Sequence, residues 1–304
     1  MRSASTPLRA SRSAAVDRSQ VYLELTKPRI TLMVLLTVAV GFFAAHAANA
    51  PLMLVHVLIG TALSCSGSGA LNQYLERETD ESMDRTRFRP LPARRVSATA
   101  AMALGAALSI GGVVYLAVTV NLLSAVLNAV TVATYLFVYT PMKRLTPLST
   151  LAGAVPGALP PVIGWTAATG EIGAGAAVLF AILFLWQIPH FLAIGWMYRD
   201  DYARGGFPML VVVDGSGDAT ARQMVVYSLA LIPVSLLLTA AGAAGSFYFW
   251  CALAAGLFYF RASLVAARER TATAARRLLL CSVIYQPALF AALFVERAWW
   301  SVAR

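Results

Sequence analysis

Apolar runs of about 20 residues, each long enough to cross the hydrocarbon core of a bilayer, recur along nearly the whole chain. A backbone in lipid has no water to satisfy it, so such runs fold as internally bonded helices. Of the 304 residues, 59% are hydrophobic and only 12% charged, against about 25% charged in an ordinary soluble domain. The chain is therefore expected to be all-α, a polytopic membrane bundle. Hydropathy predicts about nine transmembrane helices, at residues 30–48, 52–74, 99–118, 122–139, 148–168, 173–194, 224–243, 247–261 and 278–295. Only Ala and Gly separate the seventh from the eighth. Residues 1–24, rich in Ser, Ala and Arg, read as a disordered cytoplasmic tail without the apolar core of a secretory signal. Residues 25–304 read as one integral-membrane domain.

Once the spans are placed, the basic residues sort by side. All but Arg297 and Arg304 fall in the N-terminal segment or in the loops at the same end of the bundle. Lys and Arg accumulate on the cytoplasmic side, so the N-terminus and the long loops are expected in the cytoplasm and the C-terminus outside. The net charge of +10 thus reports orientation in a bilayer, and nucleic acid is not an expected partner. Cys65, Cys251 and Cys281 lie in apolar surroundings without paired spacing, so no disulfide framework or zinc site is expected.

Two polar clusters share the cytoplasmic face. Glu76, Glu78, Asp80, Glu81 and Asp84 crowd the exit of the second helix, and Arg85, Arg87 and Arg89 follow at once. Asn72, Glu76 and Asp80 recur every four residues, which on a helix turns through only about 80° and rises about 12 Å. Their oxygens form one stripe, which Asp84 would lengthen if the helix continued. Such a stripe suits Mg²⁺, which keeps waters and binds through one or two carboxylates plus substrate phosphates. The arginines are planar donors matched to phosphate oxygens. Acids followed by arginines make sense if the ligand is a magnesium-bound diphosphate; the plainer alternative is a solvated helix end whose acids and arginines pair with each other, against which stands Asn72 inside the apolar span.

The second cluster runs from Trp186-Gln187-Ile188-Pro189-His190-Phe191 to Asp200 and Asp201, with Asp214 and Asp218 beyond. Pro189 is expected to kink or loosen the sixth helix. Between the clusters, Tyr139, Thr140, Lys143 and Arg144 end the fourth helix. Gly153, Pro156, Gly157, Pro160, Pro161 and Gly164 are expected to bend the fifth. Small residues there either let helices approach closely or leave room for a flat ligand. No Gly-x-x-x-x-Gly-Lys-Ser/Thr loop, His-Glu-x-x-His or Gly-x-Ser-x-Gly motif is present, so ATP-driven transport and serine hydrolysis lack support.

The segment from Asn72 to Asp80, followed by Met83-Asp84-Arg85-Thr86-Arg87-Phe88-Arg89-Pro90, resembles the first aspartate-rich motif of the intramembrane aromatic prenyltransferases. Leu25-Thr26-Lys27-Pro28-Arg29, Tyr139-Thr140 with Lys143-Arg144, Pro160-Pro161 with Gly164-Trp165, Trp186-Gln187 with Pro189-His190-Phe191, Asp201-Tyr202 and Pro208-Met209-Leu210 are similar to motifs of its haem-directed branch. The match runs in order over about residues 25–213; the last three helices agree only in number and hydropathy. Glu76 stands where many relatives have Asp, and His190 where quinone-directed members carry an acid, which leaves a second metal position on Asp201 with Asp200.

The resemblance implies helices around a central cavity and Mg²⁺ as cofactor, held by Asn72, Glu76, Asp80 and Asp201. It implies farnesyl diphosphate and haem B as substrates, haem B not being a permanent cofactor, and transfer to a haem vinyl group giving haem O. Lys27, Arg29, Arg85, Arg89, Lys143 and Arg144 would take up the diphosphate charge. Tyr139, Trp165 or Trp186 would shield an allylic cation, with Gln187 in the substrate site. For His190 two roles stay open, haem-iron ligand or diphosphate positioning. By the same resemblance the chain lies in the cell inner membrane, beside haem-modifying or oxidase-assembly proteins. The alternatives are a prenyltransferase for a quinone or chlorophyll-type acceptor, and a haem-handling transporter without catalysis.

Overall fold

A computed structural model describes residues 18–45 and 50–302, with side chains from Ser19 to Glu296. Most of the expected tail, the end of the first predicted span and the terminal Arg304 lie outside the described residues. Among the described residues every regular element is helical. Among the described residues eight helices are long and apolar enough to cross a membrane, or nine if a bent pair at the start counts as one span.

That pair is α1 (Arg18–Leu25) and α2 (Pro28–Ala44), which meet at 49°. Lys27 between them adopts a left-handed backbone, φ 49°, and Pro28 opens α2 at a position where its missing N–H costs nothing. Helix α1 begins inside the stretch assigned to the tail, and Val21 and Leu25 bury their side chains against the bundle. The next helix, α3 (Pro51–Asp80), has 30 residues and is about 45 Å long at 1.5 Å per residue. It outlasts the bilayer core and carries its last turns past the hydrocarbon.

Helix α4 (Ala98–Thr119) returns beside α3 and starts where the Ser97 side chain caps the Ala100 N–H. Asn121 caps α5 (Leu122–Ala133) in the same way through Ser124 N–H. The fourth span then passes through a π-helical stretch, Thr134–Tyr139, into a short α6 (Thr140–Met142). The fifth span breaks at Leu159 into α7 (Ser149–Ala158) and α8 (Pro160–Thr169), as its prolines predict. The sixth, α9 (Ala174–Met197), stays one helix through Pro189. Short helices α10 (Arg199–Arg204) and α11 (Leu210–Val213) lead to α12 (Asp218–Ala240), α13 (Ser246–Glu269) and α14 (Ala272–Val302). A turn at 241–245 separates α12 from α13.

The question left open for the small residues of the fifth span is answered by packing. A Cβ on Gly164 would collide with the Val38 carbonyl, one on Gly41 with the Pro161 carbonyl, one on Gly157 with the Gln187 side chain and one on Gly153 with the Tyr139 ring. These glycines bring α2, α7, α8 and α9 into contact. Helices α3 and α4 use Gly60, Gly67, Gly105 and Gly112 likewise. A large apolar cluster ties α9 to α12, α13 and α14, with Tyr248 and Tyr259 sealed inside it.

Candidate active site

Because α3 runs unbroken to Asp80, Asn72, Glu76 and Asp80 ride on one rigid rod. All three are buried, Asp80 completely. The helix stops there, so Asp84 leaves the stripe and turns outward to pair with Arg87 at 3.3 Å and Arg204 at 2.9 Å.

Each residue of the stripe meets a basic side chain brought from elsewhere. Lys27 Nζ donates to Asn72 Oδ1 at 2.8 Å, and the left-handed turn before Pro28 aims it there. Lys143 Nζ donates to Glu76 Oε1 at 2.7 Å and stands 4.7 Å from the centre of the Tyr139 ring. Arg89 Nη1 donates to Asp80 Oδ2 at 2.8 Å. Asn72 Nδ2 also donates to Thr140 Oγ1, which itself donates to the Tyr135 carbonyl, the same oxygen that accepts the Thr140 N–H at the end of the π-helical stretch. The wider π turn thus sets the register that presents Tyr139, Thr140 and Lys143 to α3.

Asp80 Oδ1 is buried and has no hydrogen-bond partner. A buried carboxylate oxygen left bare is costly unless something else meets it, and here it lies on the face it shares with Glu76 and Asn72. Two carboxylates, one of them with a bare oxygen, and one amide oxygen fit a hard cation that completes its shell with water and phosphate. Among the described residues no three His, Cys, Asp or Glu side chains converge into a finished metal cage. The donor set therefore suits a cation that arrives with its substrate better than one held permanently.

The second polar cluster reaches the first through its loops. Arg204 pairs with Asp201 and bridges to Asp84. Arg85 lies over the rings of Tyr198 and Tyr202 and bonds the Tyr202 hydroxyl at 3.4 Å. Met83 packs near Gly205. Asp201 is buried and engaged by Arg204, while Asp214 and Asp218 hold the start of α12 and Arg270. Arg144 bonds Thr79 Oγ1 on the rod.

Not every expected site residue is gathered. Arg29 is exposed at the start of α2. Trp165 packs against Gly173 and Gly175 at the beginning of α9, the opposite end of that helix from Asp201. Gln187 is buried and donates to the Ala154 carbonyl at 2.8 Å, so it holds α7 to α9. Trp186 stacks on His190 with centroids 5.0 Å apart and donates through Nε1 to the Ser282 carbonyl. His190 Nδ1 meets Ser282 Oγ at 2.7 Å. Arg204 and Ser282 are contacts the motifs did not point to; Thr140 lay in a motif that gave it no role. Arg204 had a local signal, three residues past Asp201 on a helix; Ser282 had none.

A helical bundle with a buried acid stripe, ringed by ammonium and guanidinium groups, fits the intramembrane prenyltransferase class that the motifs resemble. The sequence matches the UbiA prenyltransferase family over residues 34–296, and the chain belongs to that family. It is 50% identical to protoheme IX farnesyltransferase of Solibacter usitatus over 91% of this chain and 98% of that one. It is 42% identical to protoheme IX farnesyltransferase of Koribacter versatilis, covering 98% and 99%. Among solved structures, one of digeranylgeranylglyceryl phosphate synthase superposes with a TM-score of 0.78 at 15% identity, over 92% of this chain and 98% of that one. A UbiA homologue from Archaeoglobus fulgidus bound to DMAPP and Mg²⁺ superposes at 0.64 with 17% identity, covering 90% and 99%.

Proposed function

We propose that this chain transfers the farnesyl group of farnesyl diphosphate to a vinyl group of haem B, giving haem O and diphosphate. The observation that carries the reading is the bare, buried Oδ1 of Asp80 beside Glu76 and Asn72, a donor set built for a diphosphate-bound cation. The haem acceptor follows from the relatives named protoheme IX farnesyltransferase. Mg²⁺ bound here would supply charge that stabilises the departing diphosphate.

The protein's own groups do the rest. Lys143, Lys27 and Arg89 reach the stripe now, and each turns from a carboxylate or amide oxygen towards phosphate when the donor binds. Arg85 and Arg144 stand further out and screen the same charge. The C1–O bond of the farnesyl group breaks with its electron pair going to diphosphate. The haem vinyl carbon forms the new C–C bond, and water adds to the resulting cation and releases a proton, leaving a hydroxyethyl group. Tyr139, beside Lys143, offers its ring face to the allylic cation. Asp201 supplies the opposing carboxylate once Arg204 releases it.

The site end of the bundle faces the cytoplasm, in the inner membrane, as the distribution of Lys and Arg supports. Both substrates are apolar bodies with charged ends, suited to that boundary. The decisive experiment is Asp80→Asn in membranes supplied with haem B, farnesyl diphosphate and Mg²⁺. Haem O formation is expected to fall by roughly 100-fold, the scale of removing one preorganised electrostatic contact. Normal turnover would remove Asp80 from the metal site.

A further inference from the structure

His190 is held on three sides. Trp186 stacks on its ring, 28° from parallel, and Phe191 meets it edge-on at 5.6 Å. Tyr259 donates to the Trp186 carbonyl at 3.0 Å and so fixes the backbone from which both rings spring. The third contact, between Nδ1 and Ser282 Oγ at 2.7 Å, crosses to α14.

The direction of that bond can be read from the serine. A hydroxyl has one proton to give. Ser282 Oγ lies 2.6 Å from the Leu279 carbonyl, which only accepts, so the serine proton goes there. Towards His190 the oxygen then has lone pairs only, and the proton in the contact must sit on Nδ1. Ser282 is fully buried, so water does not offer it another arrangement. None of the groups touching the ring is an acid, so nothing there compensates an imidazolium. The neutral ring keeps a lone pair on Nε2, on the side away from Ser282, and among the described residues Nε2 has no protein partner. His190 is half-buried.

We propose that Ser282 is a positioning residue: its hydroxyl locks His190 in the Nδ1–H tautomer and aims the Nε2 lone pair at the iron of the haem acceptor. The proposal rests on the haem reading of the preceding section. A histidine whose distal nitrogen is tied to a fixed oxygen is the usual arrangement for metal ligation, because the outer bond sets tautomer and ring orientation. Axial binding through Nε2 would hold the porphyrin by its centre, with its vinyl edge free to meet the prenyl cation.

The test uses the full chain in lipid nanodiscs. Titrated with haem B, the wild type is expected to show an imidazole-ligated absorption spectrum, which His190→Ala abolishes. Ser282→Ala should weaken haem binding roughly tenfold, the lower end of what losing an outer-shell bond costs, and should alter the spectrum. Ser282→Thr, which keeps the hydroxyl, should restore both. Metal-free protoporphyrin IX, which has no iron to ligate, should bind all four proteins alike. In the wild type, ¹⁵N NMR of the histidine rings, with His190 assigned from the alanine variant, should place the proton on Nδ1.

A proton on Nε2, or a Ser282→Ala protein with unchanged haem affinity and spectrum, overturns the proposal. So does equal loss of haem and metal-free porphyrin, since that is packing. If haem O forms while any of these holds, the proposal falls alone. If the wild type binds neither porphyrin and prenylates only another acceptor, the haem reading falls and takes the proposal with it.

Discussion

Glu76 has two claims on it. Its carboxylate is bound to Lys143 at 2.7 Å, yet it is also one of the oxygens proposed to meet Mg²⁺. An ammonium and a metal ion compete for the same lone pairs, so Lys143 supplies the compensating positive charge until a diphosphate gives it another partner. Lys143→Met should therefore bind Mn²⁺, followed by EPR without diphosphate, more tightly than the wild type. The same variant should need about tenfold more farnesyl diphosphate for half-maximal turnover, since a hydrogen bond to a charged group contributes about 1.5–3 kcal/mol. Unchanged Mn²⁺ affinity would show that the ion pair and the metal do not share the carboxylate. At this scale the sequence was readable where partners are close along the chain. Asn72, Glu76 and Asp80 announce themselves by helical spacing alone. The bond from Arg204 to Asp84 spans 120 positions and that from His190 to Ser282 spans 92. No local pattern encodes such pairs; they exist only once helices have packed.

Between elements, glycine decides how close two helices come. A Cβ on Gly164 would meet the Val38 carbonyl and lie 2.9 Å from Phe42 N, and backbone cannot rotate aside as a side chain can. Gly164→Ala is expected to cost about 1–3 kcal/mol, as overpacking does, read as earlier thermal unfolding in detergent. Gly111→Ala, with nothing within 4 Å of the new methyl, should be neutral or gain up to about 1 kcal/mol from helix propensity. Equal effects at both sites would mean that the α2–α8 contact is not tight. Helix ends are set by bonds of another kind. Asp214 Oδ2 accepts from both the N–H and the hydroxyl of Thr220 in the first turn of α12. Burial is the largest single effect and pushes its carboxyl up, but together the Thr220 and Gly217 N–H groups and the Thr220 and Ser216 hydroxyls pull it below the ordinary 3.8. A lowered pKa stabilises the fold above the ordinary carboxylate range and stops doing so as pH falls through the folded value. Asp214→Ala should thus cost about 1 kcal/mol near neutrality and progressively less in acid. Hydropathy found the last three spans but started those of α12 and α14 late and ended that of α13 early, because the first turns of α12 and α14 and the last of α13 carry charge. Hydropathy sees lipid, whereas helices run on past it until a cap or a turn stops them. The same blindness ended the second span at 74, and only the four-residue spacing carried the helix on from Asn72 to Asp80.

Across the whole molecule, the ties between distant segments gather at one end. Arg95 pairs with Glu24, Arg204 with Asp84 and Arg270 with Asp218, and Arg144 bonds Thr79. At the other end Glu296 accepts from the N–H groups of Gly245 and Phe247 and caps the start of α13. The loops that the charge distribution assigned to one side therefore do share an end of the bundle, and the acid stripe opens among them. That agreement has a physical basis. Lys and Arg that hold loops on the translocation-resistant side are, once folded, the cations on the acid stripe, so in the proposed reading topology and chemistry draw on the same residues. The proposal that this end is cytoplasmic can be separated from the fold by labelling. In a chain with Cys65, Cys251 and Cys281 replaced, Glu171→Cys and Ser246→Cys, both exposed, should react with a membrane-impermeant maleimide added to intact cells. Glu81→Cys and Arg268→Cys, exposed at the site end, should react only in inverted vesicles. The reverse pattern would leave the bundle intact but turn the diphosphate site outward, away from a cytoplasmic supply of farnesyl diphosphate, and the reading of the basic loops would have to be given up.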